Sequence, residues 1–320
     1  MSDEPLIQGI NAAFVGVTNP DDHLKFYCDQ LGFAVAETGR LSAAEASAIW
    51  GEGVGEIGVT VLTAAGADHG RIVLLQVPNP GPAVYPHSAD FGLAGIDLYT
   101  RDIQESHRVL TAAGYSWVTP PATWEVPLGE KVVTVTEGFC NAPEGTAVVF
   151  VQPAVPRGTA AWDAEPDRFY TELTSVVCHV PDFESEIRFW GPDGLGLSQW
   201  YDATFSHPGL DEMASLPSGT VMRLSFLAGP TTARIEVTCI QNRTMGRDRR
   251  AEQRTARHLG HTGWLVRTRD LDATVARVRE LGGTVLTGPV PGPKVLFAEK
   301  RVAMVDTPNG IPVTFVEHAS

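Results

Sequence analysis

The sequence predicts an α+β protein built from four βαβββ units arranged as two domains, and three observations lead there. The chain repeats itself at a long offset, a helix-start signature recurs four times, and 320 residues exceed what one hydrophobic core usually holds. Asn141–Gln152 (NAPEGTAVVFVQ) reappears 165 residues later as Asp306–Glu317 (DTPNGIPVTFVE), keeping the proline, the glycine and the V, F and V that follow. Gly95–Gly114 likewise pairs with Gly263–Gly282 at an offset of 168.

Each half divides again, because Asn19, Asp102, Asp182 and Asp270 each stand before an amphipathic stretch, as N-cap residues do. Pro20 follows Asn19 at the first helical position, and Leu24, Tyr27, Cys28 and Leu31 then recur at helical spacing up to Gly32. Leu271, Val275, Val278 and Leu281 form the same stripe in the fourth unit, closed by Gly282. Strand-like runs come after every helix: Val59–Leu62 and Arg71–Val77, Lys131–Thr136 and Thr146–Gln152, Val221–Leu227 and Arg234–Ile240, Arg301–Val305 and Pro312–Glu317. Three connectors rich in proline or polar residues separate the units, Val77–Asp90, Pro153–Phe169 and Gln241–His258. The middle one reads as a linker between domains 1–153 and 170–320.

Composition narrows the function classes. At 43% hydrophobic and 19% charged residues the chain can bury a core, which excludes disordered and collagen-like classes. Twenty-four Lys and Arg against 38 Asp and Glu leave a formal charge of −14, a field that repels phosphate backbones and anionic lipid, so neither nucleic acid nor membrane is an expected partner. There is no run of about 18 apolar residues and the N-terminus lacks a signal-peptide pattern, so a cytoplasmic protein is expected. The four cysteines, Cys28, Cys140, Cys178 and Cys239, show no CxxC spacing and are expected to be reduced.

The openings Val17–Phe33 (VTNPDDHLKFYCDQLGF) and His179–Gly196 (HVPDFESEIRFWGPDGLG), with the closing D-x-P-N-G, resemble the vicinal oxygen chelate superfamily. That superfamily contains glyoxalase I, type I extradiol dioxygenases, methylmalonyl-CoA epimerase and bleomycin-resistance proteins. The resemblance spans nearly the whole chain and implies cupped mixed sheets, with metal-binding His and Glu on the first and last strands of paired units. It says less about function, since such a scaffold hosts many chemistries.

Carried onto this chain, the implied positions fall on Ala12, Val73, Gly95 or Leu93, and Val149 in the first half, none of which donates to a metal. In the second half they fall on Glu236, on His261, and on Ser175 and Thr314. Strand alternation turns both Glu236 and His261 inward. Two donors are too few for a firmly held metal, so the expectation is no metal and no other cofactor. Glu236 is then a candidate general base and His261 a candidate acid or polariser. An ion pair of Glu236 with Arg234 or Arg267 is the structural alternative. Candidate substrate contacts are Ser175, His179, Arg267, Thr314 and Tyr201. Asp97, Tyr99 and Trp200 also project toward the cup or pack in a core. Six arginines between Arg243 and Arg257 read either as an anion clamp at the rim or as a solvated helical connector.

The resulting expectation is a metal-independent lyase or isomerase acting by proton transfer on a small carbonyl-containing or aromatic compound, as a monomer or homodimer. The alternatives are a non-catalytic small-molecule binding protein of the resistance type and a divalent-metal enzyme resembling glyoxalase or the extradiol dioxygenases. The loops Leu41–Gly55 and Ala203–Ser218 are expected to shape the pocket.

Overall fold

A computed structural model describes residues 5–154, 158–231 and 233–318. Unit 1 comprises β1 (Ile7–Val17), α1 (Pro20–Leu24, continuing as a π-helical turn Lys25–Gln30), β2 (Ala34–Leu41), α2 (Ala43–Trp50), β3 (Ile57–Thr63) and β4 (Arg71–Gln76). Unit 2 has β5 (Gly92–Thr100), α3 (Ile103–Ala112), β6 (Ser116–Trp117), β7 (Ala122–Leu128), β8 (Lys131–Ala142) and β9 (Thr146–Gln152). The short α4 (Ala160–Ala164) follows it. Unit 3 contains β10 (Tyr170–His179), α5 (Phe183–Trp190), β11 (Ser198–Phe205), α6 (Pro208–Met213), β12 (Met222–Ala228) and β13 (Arg234–Ile240). Unit 4 contains β14 (Gly260–Thr268), α7 (Leu271–Glu280), β15 (Thr284–Pro291), β16 (Arg301–Asp306) and β17 (Pro312–Glu317).

All four expected helix starts carry their caps. Asn19, Asp102, Asp182 and Asp270 each accept a backbone N–H of the first turn.

The sheets do not follow the two halves of the chain. One eight-stranded sheet runs β15-β16-β17-β14-β1-β4-β3-β2 and joins unit 4 to unit 1. The nine-stranded sheet runs β11-β12-β13-β10-β5-β9-β8-β6, with β7 paired to β8, and joins unit 3 to unit 2. Both junctions are antiparallel, β1 with β14 and β5 with β10. The boundaries 1–153 and 170–320 therefore do not enclose separate cups, because each cup takes one unit from each half.

One continuous core ties the two sheets together. It includes Ala13, Val15 and Trp264 from the first sheet and Ile96, Val176, Ile235 and Val237 from the second. Helices cross between sheets: Phe26 of unit 1 meets Tyr115 of unit 2 at 4.8 Å between ring centroids, and Trp190 of unit 3 meets Trp264 of unit 4 at 5.8 Å.

The repeated turn has a matching job in each half. Glu144 of NAPEG accepts from Thr18 N (2.8 Å) and contacts His23 Nε2 (3.3 Å), latching unit 2 onto the first helix of unit 1. Asn309 of DTPNG donates to Asp182 O (2.8 Å) and to Glu186 Oε2 (2.9 Å), latching unit 4 onto the helix of unit 3. Thr307 and Trp190 complete the bonding of the buried Glu186 carboxyl.

The connectors are more ordered than their composition suggests. Within Pro153–Phe169, of which 155–157 lie outside the described residues, α4 is anchored by Glu172, whose carboxylate accepts from Ala160 N (2.9 Å) and Ala161 N (3.0 Å). The arginine-rich stretch is not helical. Arg243 donates to Ala89 O (2.9 Å), Arg249 to Val84 O (3.1 Å) and Arg250 to Asn309 O (2.8 Å), while Arg254 pairs with Asp306. These four guanidiniums tie the stretch to the connector before β5 and to unit 4.

Candidate functional site: one filled cup and one open acidic cup

The cup of units 1 and 4 is filled by its own chain. Ser42 and Glu45 form a capping box at the start of α2, with Glu45 Oε2 accepting from Ser42 N at 2.8 Å. The helix so started drops Ala46, Ile49 and Trp50 onto Ala12, Phe14, Val73 and Leu265, and Phe297 closes the remaining side. Trp50 meets Phe14 edge-on, with centroids 5.9 Å apart, and its Nε1 donates to Thr314 Oγ1 at 3.4 Å. Thr314 is fully buried there and faces Trp50, which places it away from a substrate contact.

The cup of units 2 and 3 stays open, with a cavity of about 220 Å³. The second insertion, which carries α6, does not fall in. Leu210 and Met213 lie across the mouth and cluster with Trp124 of β7. Alternation builds the floor: on β13 Ile235 and Val237 enter the core, while Arg234, Glu236 and Thr238 face the cavity. On β5 Ile96 and Leu98 enter the core, and Asp97 and Tyr99 face the cavity. Strand β8 adds Glu137 between Val135 and Phe139, and the walls carry Trp124, Trp200, Tyr201, Phe205 and Phe226.

Three carboxyl groups thus meet in an apolar, aromatic chamber. Glu236 is in hydrogen-bonding contact with Asp97, and both lie near Arg234. Burial pushes Asp97 up to about 7 against the opposing pull of Arg234. Burial, reinforced by the Asp97 charge, pushes Glu137 up to about 8. Glu236 is held well above the carboxylate range, first by burial and then by its two acidic neighbours. Tyr201 is raised to about 12 by burial and by Glu236. Arg234 is bound on several sides: it donates to Thr174 O (3.4 Å), to Ser175 Oγ (3.1 Å) and to the Tyr99 hydroxyl. Its guanidinium also lies 4.7 Å from the Phe226 ring centroid. Tyr201 Oη is buried with no hydrogen-bond partner.

The expected site residues separate accordingly. Glu236 and Tyr201 line the open cup, and Ser175 lies beneath it, bonded to Arg234. His261 is on the other sheet and does not meet Glu236. A bulge at Thr262, where Phe14 pairs with Gly263 but Val15 with His261, reverses the alternation that sequence parity assumed. Its imidazole turns to the core, where Nε2 accepts from Trp264 Nε1 at 3.0 Å, and burial lowers it to about 3. Arg267 is on the same β14 and binds Asp68 (3.2 Å), on the other sheet from the acidic floor. His179 ends β10, stacks on Phe91 at 5.4 Å and bonds Thr238 Oγ1 at 2.9 Å, so it is buried behind the rim rather than facing solvent. Glu137 escaped the sequence reading. Its one signal is an acid sharing parity with Val135 and Phe139 on a strand whose apolar face was left unassigned.

The donors do not fit the divalent ion that the superfamily resemblance implies. Of the implied positions around this cup only Glu236 is a ligand type. Val149 lies across from it, Val177 pairs with it, and the Arg234 guanidinium shares its face. No group of three His, Cys, Asp or Glu side chains among the described residues is placed to hold a metal.

Comparison with known proteins agrees with this architecture. Residues 9–150 match the Glyoxalase/Bleomycin resistance protein/Dioxygenase superfamily. Glyoxalase I from Zea mays is 18% identical, with 97% of this chain and 92% of that chain covered and a TM-score of 0.64. Its V278E mutant aligns over the same shares at 16% identity and the same TM-score. A Bacillus subtilis protein provisionally named a dioxygenase is 11% identical over 99% of this chain and 86% of its own, with a TM-score of 0.59. These identities carry the fold. No curated protein matches the sequence.

Proposed function

Since residues 9–150 match the glyoxalase/bleomycin resistance/dioxygenase superfamily, whose scaffold leaves the chemistry to local residues, we propose that the cup of units 2 and 3 is the active site of a metal-independent lyase or isomerase. Its substrate is a small, largely apolar carbonyl compound, and its chemistry is proton transfer. The observation that carries this reading is the Asp97–Glu236 carboxyl contact at the floor of an apolar chamber.

Two carboxyls in contact share one proton around neutrality, which leaves one oxygen basic and the other acidic. In this reading Asp97, the member of the pair that ionises first, takes the proton from the carbon beside the carbonyl, the C–H electron pair moves toward the carbonyl oxygen, and Glu236, which keeps the shared proton, donates it there. Arg234, bonded to Tyr99 and Ser175, lies near the pair and moderates its charge. The His261 acid role has no place in this geometry, and Glu236 takes it.

The test is hydrogen–deuterium exchange. A panel of small apolar aldehydes, ketones and thioesters is incubated with the protein in D2O, and NMR follows deuterium entering the position beside the carbonyl. Exchange that falls by about 10²-fold or more in Glu236→Gln, with ligand binding retained, supports the proposal. Exchange unaffected by Glu236→Gln and Asp97→Asn overturns it. Binding without any exchange favours the sequestering alternative, for which the aromatic walls also suit.

A further inference from the structure

We infer that the carbonyl compound held in the open cup also carries a basic nitrogen on its apolar or aromatic body, the cation being received by Glu137 beside the Asp97–Glu236 pair. This rests on the reading of that cup as the ligand site and adds the chemical class of the ligand.

Charge balance comes first. Three acids face the cavity, and Arg234 is the only cationic side chain among the described residues lining it. Its Nε and Nη2 bond Thr174 O, Ser175 and Tyr99, and its flat face lies against Phe226. A carboxylate or phosphate entering the cup would meet three acids beside this one guanidinium. Once the pH is high enough to ionise them, a neutral ligand leaves these acids with no cation beyond Arg234. An ammonium group supplies the missing charge and N–H donors together.

An unpartnered atom points the same way. Tyr201 is 7% exposed and lines the cavity, yet its Oη has no hydrogen-bond partner. It can accept from an N–H. Trp200, Phe226 and Tyr99 already surround one cation, the Arg234 guanidinium, at 5.5, 4.7 and 5.6 Å from their centroids. Such walls suit a second cation on an aromatic frame.

Three probes of one shape isolate the charge: 1-naphthylmethylamine, 1-naphthalenemethanol and 1-naphthoic acid, titrated calorimetrically into the whole protein at pH 6 and pH 8.5. The amine is expected to bind at least about tenfold more tightly than the alcohol, with the acid weakest. Its advantage should grow at the higher pH, because the cation favours the ionised carboxyls while the amine itself stays protonated. Glu137→Gln should shrink the advantage by weakening the amine more than the alcohol. Alcohol or acid binding as tightly as the amine at pH 8.5 overturns this inference and leaves the proton-transfer reading standing. A preference unchanged in both Glu137→Gln and Asp97→Asn overturns it as well. Failure of all three probes to bind the wild type removes the cup as a ligand site, and with it both proposals.

Discussion

Replacing Glu137 with Gln keeps the shape of the side chain and removes a carboxyl that the fold holds protonated up to about pH 8. Unfolded, the same group ionises near 4.5. Because the folded value is the higher one, the group costs nothing below the unfolded value. The penalty grows as pH rises between the two and is complete above the folded one. At about 1.4 kcal/mol per pH unit the full penalty is bounded at about 5 kcal/mol. For a chain of this length that corresponds to roughly 7 °C in Tm. The assay is thermal unfolding of wild type and variant, followed by near-ultraviolet circular dichroism at pH 5, 7 and 9. At pH 5 the two should nearly coincide, and at pH 9 the variant should be the more stable by several degrees. A difference in Tm that is the same at pH 5 and pH 9 would refute the claim that Glu137 is buried against its own charge.

Other expectations follow from the same contacts. Asn309→Ala strips the buried Glu186 carboxyl of one donor and unfastens unit 4 from the helix of unit 3, so chemical denaturation should show a loss of about 2–3 kcal/mol. Trp50→Ala should empty part of the filled cup at a cost of about 3–5 kcal/mol, read by the same denaturation, while naphthyl-probe affinity in the other cup stays the same. His261, lowered to about 3 by burial, makes the fold less stable as pH falls below its unfolded value near 6.5. His261→Gln should therefore flatten the decline in Tm between pH 6.5 and pH 4, and it should leave deuterium exchange intact.

The local architecture was legible because local chemistry sets it. The four N-caps, the helix stripes and the repeated turns each announce themselves within twenty residues, and the inward parity of Glu236 follows from Ile235 and Val237 on either side. Which unit pairs with which was not legible. Strands β1, β5, β10 and β14 all offer comparable edges, and the choice of β1 with β14 and β5 with β10 is made by packing between residues more than 70 positions apart. That pairing sent Glu236 and His261 to different sheets.

The bulge at Thr262 was equally hidden, since one extra residue reverses every side chain beyond it without leaving a compositional mark. Filling of one cup was half visible. Ala12 and Val73 read as non-ligands from the sequence, but that Trp50 and Phe297 would occupy the space depends on how the segment after β2 folds back. The equivalent insertion in unit 3 crosses the mouth instead, and this difference between two insertions leaves the acidic cup of units 2 and 3 open.

The shared proton between Asp97 and Glu236 is reached most directly by carbon-13 NMR of the side-chain carboxyls, recorded from pH 4 to pH 9 with Asp97→Asn and Glu236→Gln supplying the assignments. Two resonances lost in those variants should titrate together with a step near pH 7, and in Glu236→Gln the Asp97 step should shift once its acidic neighbour is gone. Both carboxyls completing their titration below pH 5, each indifferent to loss of the other, would contradict the account.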